Sequence, residues 1–286
     1  MIDNSKALDR LFYSMPVDKL KDDRLHYIDL HIIDGCNHSC ARCVKFAPLC
    51  EDRLGIVNYN STIKDLKRLS QLTNARLDGI SILGGEPLIS PDLIKYMHMC
   101  RKLFPNTSIT IVTNGLAIPR MKKLFFKSLK KYDVWLSISK FYEPEVYEGI
   151  IDILKKNDCF DRTVFQGLQP FNCVMFVQLD LDEKGKQNKE KMFEKCPNKN
   201  GYITLKEGRL WSCPTSCMKY ILNNYFGTKF ELYKDDGVDI YNHTEKEIVE
   251  LLRKPKEACK YCTVSGLNRL YFPETSKRAK DEWIRK

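Results

Sequence analysis

The chain has 286 residues, enough for one or two domains with a sizeable core, and its 43% hydrophobic and 29% charged fractions are those of a globular protein. No apolar run is long enough to span a bilayer, and Met1-Ile2-Asp3-Asn4-Ser5 lacks the basic and apolar pattern of a signal peptide. These features exclude a membrane-spanning helical protein and make a cytoplasmic location the expectation. The net charge of +10 is scattered in short groups such as Lys122-Lys123, the pattern of solvated helix faces, although an anionic substrate would also fit it.

Residues 1–24 are polar and mixed and read as a short helix or draped arm. Tyr27–Ile33 is the first strand candidate. Ser61 then serves as the expected N-cap of a helix to Leu72. Gly79–Leu83 is a short buried strand. Ser90-Pro91 opens a helix to Leu103, where Pro105 stops it. Strand Ser108–Thr113, a helix near Pro119–Lys131, strand Asp133–Ser139 and helix Pro144–Lys156 follow. Weaker strands are expected at Thr163–Gln166 and Cys173–Gln178. Repeated βα units imply a parallel sheet with right-handed crossovers. Periodicity alone does not separate a partial barrel from an open doubly wound sheet. The charged stretch from Leu179 to Lys189 is the best boundary. It divides the chain into an arm (1–24), an α/β segment (25–182) and a C-terminal segment (183–286).

Cys36, Cys40 and Cys43 follow the first strand at spacing C-x3-C-x2-C. A structural iron–sulfur cluster normally takes four cysteines, and a structural zinc site likewise takes four ligands. A local set of three thiolates therefore reads as a cubane with one iron open to a small molecule. The chain has twelve cysteines. Disulfides are not expected in a reducing compartment, where close cysteine pairs more often bind metal. Cys50, Cys100, Cys159 and Cys173 read as small buried apolar residues. The five histidines form no metal-ligand spacing.

The loop Cys36-Asn37-His38-Ser39-Cys40-Ala41-Arg42-Cys43 resembles the cluster loop of radical S-adenosylmethionine (SAM) enzymes. Gly84-Gly85-Glu86-Pro87, Thr113-Asn114-Gly115 and Ser137-Ile138-Ser139 extend the resemblance in family order, each at the end of an expected strand. It covers roughly residues 25–180. Arg42 stands where the family usually has an aromatic residue, which weakens any local contact to adenine. The resemblance implies a partial (β/α)6 barrel. It implies a [4Fe–4S] cluster on Cys36, Cys40 and Cys43 that binds SAM, cleaves it reductively to a 5′-deoxyadenosyl radical and so abstracts hydrogen from a substrate. It places SAM contacts at Gly84, Gly85, Glu86, Pro87, Asn114, Ser137 and Ser139. Glycine there permits close backbone approach to a ligand. An Asn-Gly turn is an adequate local explanation of Asn114.

Tyr202–Cys213 reads as a β-hairpin with Gly208 at the turn. Bracketed by Cys196 and Cys213 and followed by Cys259-x2-Cys262, it resembles the twitch domain, the shortened SPASM extension of radical SAM enzymes. The spacing is most similar to twitch-type dehydrogenases acting on the aminocyclitol 2-deoxy-scyllo-inosamine. That resemblance implies a second, auxiliary [4Fe–4S] cluster on Cys196, Cys213, Cys259 and Cys262, with a hairpin-plus-helix fold. The competing reading is zinc on Cys213-x3-Cys217 and Cys259-x2-Cys262. Cys217 is otherwise a buried thiol or a hydrogen-atom donor, as cysteines are in radical SAM epimerases.

The expected activity is that of a radical SAM oxidoreductase which oxidises, or epimerises, an alcohol carbon of a sugar, nucleotide-sugar or aminocyclitol. A reductant such as flavodoxin or ferredoxin would serve it. Lys45, Arg209 and Tyr202 are candidate substrate contacts. Peptide maturation is the alternative; the 35 residues before Cys36 are too few for a peptide-recognition domain. A non-enzymatic iron–sulfur or zinc scaffold on nucleic acid would explain the charge but not Gly-Gly-Glu-Pro, and neither nucleic acid nor a membrane is an expected partner.

Overall fold

A computed structural model describes residues 22–50, 55–142, 144–167, 176–177, 181–196, 199, 201–263, 270–271 and 274–285. Five strands run parallel: β1 (Tyr27–His31), β2 (Gly79–Leu83), β3 (Ser108–Thr113), β4 (Val134–Ser139) and β5 (Thr163–Gln166). Between them lie α1 (Tyr59–Leu72), α2 (Leu93–Leu103), α3 (Lys123–Lys131) and α4 (Pro144–Lys156). The expected α/β architecture is the one observed, an open parallel sheet of the partial (β/α) barrel kind.

Three helix starts differ from expectation, each for a local reason. Asn58 rather than Ser61 caps α1, its side chain accepting from Ser61 N at 3.0 Å. Pro87–Ile89 forms a separate 3-10 turn, so α2 opens at Leu93. Pro119 lies in another such turn, and α3 opens at Lys123. Proline sets φ for a first turn but supplies no N–H to continue the ladder.

The sheet continues past β1 rather than past β5. After β6 (Phe176–Val177) and α5 (Lys189–Glu194) comes the hairpin of β7 (Thr204–Lys206) and β8 (Arg209–Trp211). β7 pairs in parallel with β1, and β9 (Gly237–Asp239) closes that edge, giving the order β5-β4-β3-β2-β1-β7-β8-β9. The sixth parallel strand thus comes from the hairpin. The strand expected over Cys173–Gln178 lies mostly outside the described residues. Its described part, β6, pairs antiparallel with β10 (Leu270–Tyr271) in a separate two-stranded sheet. The hairpin turn has φ of 53° at Glu207 and 69° at Gly208, the left-handed pair of a type I′ turn.

Side chains alternate across these strands. One face packs Ile28, Leu30, Ile80, Ile82, Ile109, Ile111, Leu136 and Ile138 into the main core with the helices. The inner face carries Asp29, His31, Ser81, Thr110, Ser137, Ser139, Thr204 and Lys206 among the apolar Leu83, Val112, Trp135 and Val164. A second core joins Phe46 and Leu49 of the cysteine loop to Cys217, Met218, Leu222, Tyr261 and Trp283. The two segments on either side of the charged stretch therefore share one sheet and both hydrophobic clusters.

Asp65 on α1 fastens the hairpin to the helical layer. It is buried, its Oδ2 accepts from Gly208 N at 2.8 Å, and its Oδ1 accepts from Tyr241 OH at 2.7 Å. Asp65→Ala leaves both donors unpaired and is expected to lower the unfolding free energy by about 2 kcal/mol in chemical denaturation.

Candidate active site

The cysteine loop leaves the C-terminal end of β1. Its far side is met by the Gly84-Gly85-Glu86 segment at the end of β2. Gly85 N donates to Ile33 O at 2.7 Å and Glu86 N to Gly35 O at 2.9 Å. A Cβ on Gly84 would lie 2.1 Å from Ile33 O, and one on Gly85 2.0 Å from Gly35 O. The glycines are required because two backbones cross here, whereas the sequence suggested approach to a ligand as the reason.

Glu86 turns inward and is buried. Its Oε1 accepts from Leu88 N at 2.9 Å and Thr113 Oγ1 at 2.6 Å, and its Oε2 accepts from Asn114 N at 2.9 Å. The carboxylate thus joins the ends of β2 and β3. Asn114 makes the Asx turn with Leu116 N and also reaches across to the cysteine loop. Its Nδ2 donates to Asn37 Oδ1 at 2.8 Å and lies 3.9 Å from Cys36 Sγ. Ser137 is fully buried with no partner for Oγ among the described residues, and Ser139 is nearly buried at the same strand end.

Cys36, Cys40 and Cys43 carry free thiols near enough to influence one another's ionisation. Burial pushes the Cys36 thiol up to about 12, and it pushes Cys40 up as well. The second set forms in the C-terminal segment. Cys262 feels the charges of Cys213, Cys259 and Cys196, and Cys259 feels those of Cys213 and Cys196. Burial raises Cys259 to about 12 and raises Cys262 strongly. Among the described residues, no three His, Cys, Asp or Glu side chains close around one point as a single ion requires. The thiols of each set are neighbours without that convergence, and their soft donor chemistry fits a cubane.

Cys217 follows Cys213 by one helical turn, its N–H donating to Cys213 O at 3.3 Å. It is buried in the mixed core, its thiol raised to about 12 by that burial, and the charged groups it feels are Lys206, Lys45, Glu207 and Asp34.

Two carboxylates, Asp34 half-buried and Asp236 buried, are silent in the sequence pattern and organise the thiols. Asp34 sits two residues before Cys36. Its Oδ1 lies 2.6 Å from His31 Nε2 and accepts from Lys206 Nζ at 3.0 Å; its Oδ2 accepts from Tyr220 OH at 2.6 Å. Burial alone would raise it, but the His31 ring and the Lys206 ammonium hold the carboxyl well below its usual range. Asp236 accepts from Ala258 N with both oxygens at 3.2 Å, beside Cys259, and pairs with Lys219 at 3.4 Å, two residues after Cys217. It joins the turn bearing Cys259 and Cys262 to the helical stretch after Cys213. Asp34 follows the apolar run Ile32-Ile33 and could have been suspected as a lone acid there, whereas Asp236, after Lys234-Asp235, carries no such signal.

Of the candidate substrate contacts, Lys45 Nζ is buried, without a hydrogen-bond partner among the described residues, and faces Asp29, Cys217 and Cys43. Tyr202 lies between Asp29 and the Cys213 and Cys196 thiols. Arg209 is turned elsewhere, donating to Lys234 O at 3.1 Å and Gly237 O at 2.7 Å.

The three-thiol loop stands at the C-terminal end of the first strand of a parallel α/β sheet, the end where such folds place their ligands. Residues 30–163, just under half of the chain, match the radical SAM superfamily. The chain is 26% identical over 177 residues to a GTP 3′,8-cyclase of Alkaliphilus oremlandii, covering 56% of this chain and 54% of that one. It is 24% identical over 266 residues to the GTP 3′,8-cyclase of Clostridium botulinum strain Hall, covering 86% and 78%. The match thus spans only about half the length of the first relative. The solved structure of BtrN in complex with AdoMet and 2-DOIA superposes with a TM-score of 0.52 at 16% identity, covering 87% of this chain and all of that one, which shows a shared fold. A radical SAM domain uses a [4Fe–4S] cluster and SAM, and the twelve cysteines are compatible with a second cluster.

The Glu86 environment sets a pH dependence. Burial raises its carboxyl to about 7 despite three donors. A carboxyl raised in the fold stabilises fully below its unfolded value near 4.5, and that stability is lost as pH rises through 7. The unfolding free energy is expected to fall by about 3 kcal/mol over this window, and Glu86→Gln to remove the slope, in denaturant titrations between pH 4 and 8.

Proposed function

We propose that this radical SAM enzyme abstracts a hydrogen atom from a hydroxylated, acceptor-rich small molecule held against the inner face of the sheet between two clusters. The reading rests on one observation. Lys45 Nζ, Ser137 Oγ, Thr204 Oγ1 and Gln166 Nε2 are buried without hydrogen-bond partners among the described residues. Buried polar atoms are almost always paired with protein, water or ligand, and an unmet donor costs roughly 1–3 kcal/mol. Lysine and the glutamine amide nitrogen donate only, and the hydroxyls donate or accept, so the matching ligand is rich in oxygen acceptors.

When bound on Cys36, Cys40 and Cys43, the first cluster supplies the electron that splits SAM. Around it, Asn114 orients the loop through Asn37, and the strand-end segment from Gly84 to Pro87 with Ser137 and Ser139 supplies the SAM pocket. Lys45, Thr204 and Tyr202 hold the substrate beside Asp29. A two-electron oxidation of an alcohol carbon removes a hydrogen atom, a proton and one further electron. Cys196, Cys213, Cys259 and Cys262 would hold the auxiliary cluster that accepts this electron, and a flavodoxin or ferredoxin would carry it onward. A sugar or aminocyclitol fits these requirements.

The placement of Cys217 favours a second reading, epimerisation. Its thiol is buried, is pushed up to about 12 by that burial, and lies near enough to Lys45 to feel its charge. It can return a hydrogen atom to the substrate carbon, leaving a sulfur radical for the external reductant. GTP is a further candidate substrate, supported by the names of the curated relatives.

Anaerobically purified protein is expected to carry about eight irons per chain, falling to about four in Cys259→Ala/Cys262→Ala. One tightly bound zinc with about four irons would overturn the auxiliary cluster. Reduced protein with SAM should release 5′-deoxyadenosine, and Cys36→Ala should release none. With 2-deoxy-scyllo-inosamine, glucose 6-phosphate and GTP as trial substrates, a ketone formed in step with 5′-deoxyadenosine supports oxidation, and an inverted carbon supports Cys217 as donor. For whichever substrate couples, Lys45→Met should keep the irons and uncoupled SAM cleavage but raise KM about tenfold, the loss of one charged hydrogen bond. Equal loss of uncoupled cleavage would assign Lys45 to SAM instead.

A further inference from the structure

The cysteine loop is held from its second side by residues near the C-terminus, more than 200 positions away in the chain. Ala41 N donates to Glu274 O at 2.8 Å, and Ser276 N donates to Ser39 O at 2.8 Å, forming a short antiparallel bridge centred on Cys40 and Thr275. Trp283 is fully buried, and its Nε1 donates to Cys43 O at 3.0 Å. Its ring meets Phe46 edge-on, with centroids 6.3 Å apart. Arg42 has a left-handed φ of 61°, and its guanidinium lies 3.5 Å from Glu274. The carbonyl of Cys43 also accepts from Phe46 N at 3.0 Å. Every cysteine of the loop therefore lies within one residue of a contact to the strap or to Gly84–Glu86.

We propose that Trp283 and the 274–276 strap are positioning elements that fix the orientation of Cys40 and Cys43, and that Arg42 faces the strap instead of a cofactor ring. The physical argument is that a loop with left-handed residues at Arg42 and Phe46 stores strain and keeps one shape only when its surroundings over-determine it. The strap supplies two backbone bonds and an indole donor, all to main-chain atoms, so it constrains the backbone without occupying the thiols. Its role in orienting a cluster rests on the three-thiol cluster reading; its role in ordering the loop does not.

The test uses the full chain with Trp283→Phe, which keeps a large buried ring but removes the N–H, and Ser276→Pro, which removes the bond to Ser39 together with the Ser276 Oγ bonds to Glu282 and Arg278. In the metal-free chain, Trp283→Phe should speed amide exchange at Phe46, and Ser276→Pro at Ala41, about fivefold, the loss of one hydrogen bond, with β2–β4 unchanged. In the reconstituted enzyme, both variants should alter the electron paramagnetic resonance change that SAM induces in the three-cysteine cluster and leave the second cluster's signal as it was. Unchanged exchange at Ala41 and Phe46 overturns the proposal. So does an equal disturbance of both cluster signals, which marks general loosening of the shared core. If wild-type protein loads no cluster on Cys36, Cys40 and Cys43, the cluster reading fails, and the exchange measurement still decides whether the strap orders the loop.

Discussion

Everything at the site depends on the backbone of a single loop being caught between two others. The Gly84–Gly85 segment passes so close to Ile33 and Gly35 that no side chain fits between them. From the other side, residues 274–276 and Trp283 bond to Ser39, Ala41 and Cys43. Three thiols on a free loop would sample many relative positions. Main-chain bonds from both sides remove that freedom before any cofactor binds, and the ordering entropy is charged to folding rather than to ligand capture.

The second organising element is buried charge. Asp34 gathers His31, Lys206 and Tyr220, and Asp236 gathers Lys219 and the Ala258 amide. Buried ion pairs add little net stability because desolvation offsets their attraction. Their value lies in geometry, since a misplaced partner leaves a charge uncompensated. Asp34 holds the first cysteine loop to the hairpin and to the helix Tyr220–Phe226, and Asp236 holds the Cys259–Cys262 turn to the stretch after Cys213. One polar cluster therefore serves each thiol set, and the mixed core around Phe46, Cys217 and Trp283 lies beside both.

Much of the fold was readable in the residues. β2, β3 and β5 have the expected bounds, and β4 starts one residue later, because short apolar runs between turn signals leave few alternatives. The radical SAM assignment was equally readable from four short motifs, and the match over residues 30–163 agrees with it. Less was readable about why those motifs exist. The glycines of Gly84-Gly85 answer to a backbone in another segment, and Glu86 answers to Thr113 and Asn114 at the next strand end. Helix starts shifted where proline made a separate turn.

What the sequence by itself determined is local: thiol spacing, strand length, the left-handed hairpin turn at Glu207–Gly208 and the polar alternation of the inner face. Each follows from interactions between residues a few positions apart, or from a period of two. Only the tertiary structure decided that β7 lies beside β1, that Cys217 comes near Lys45, that Arg42 meets Glu274, and that Trp283 reaches Cys43. Those outcomes join segments separated by roughly 170 to 240 residues. Such contacts form where two independently folded surfaces meet, and no local pattern encodes that meeting.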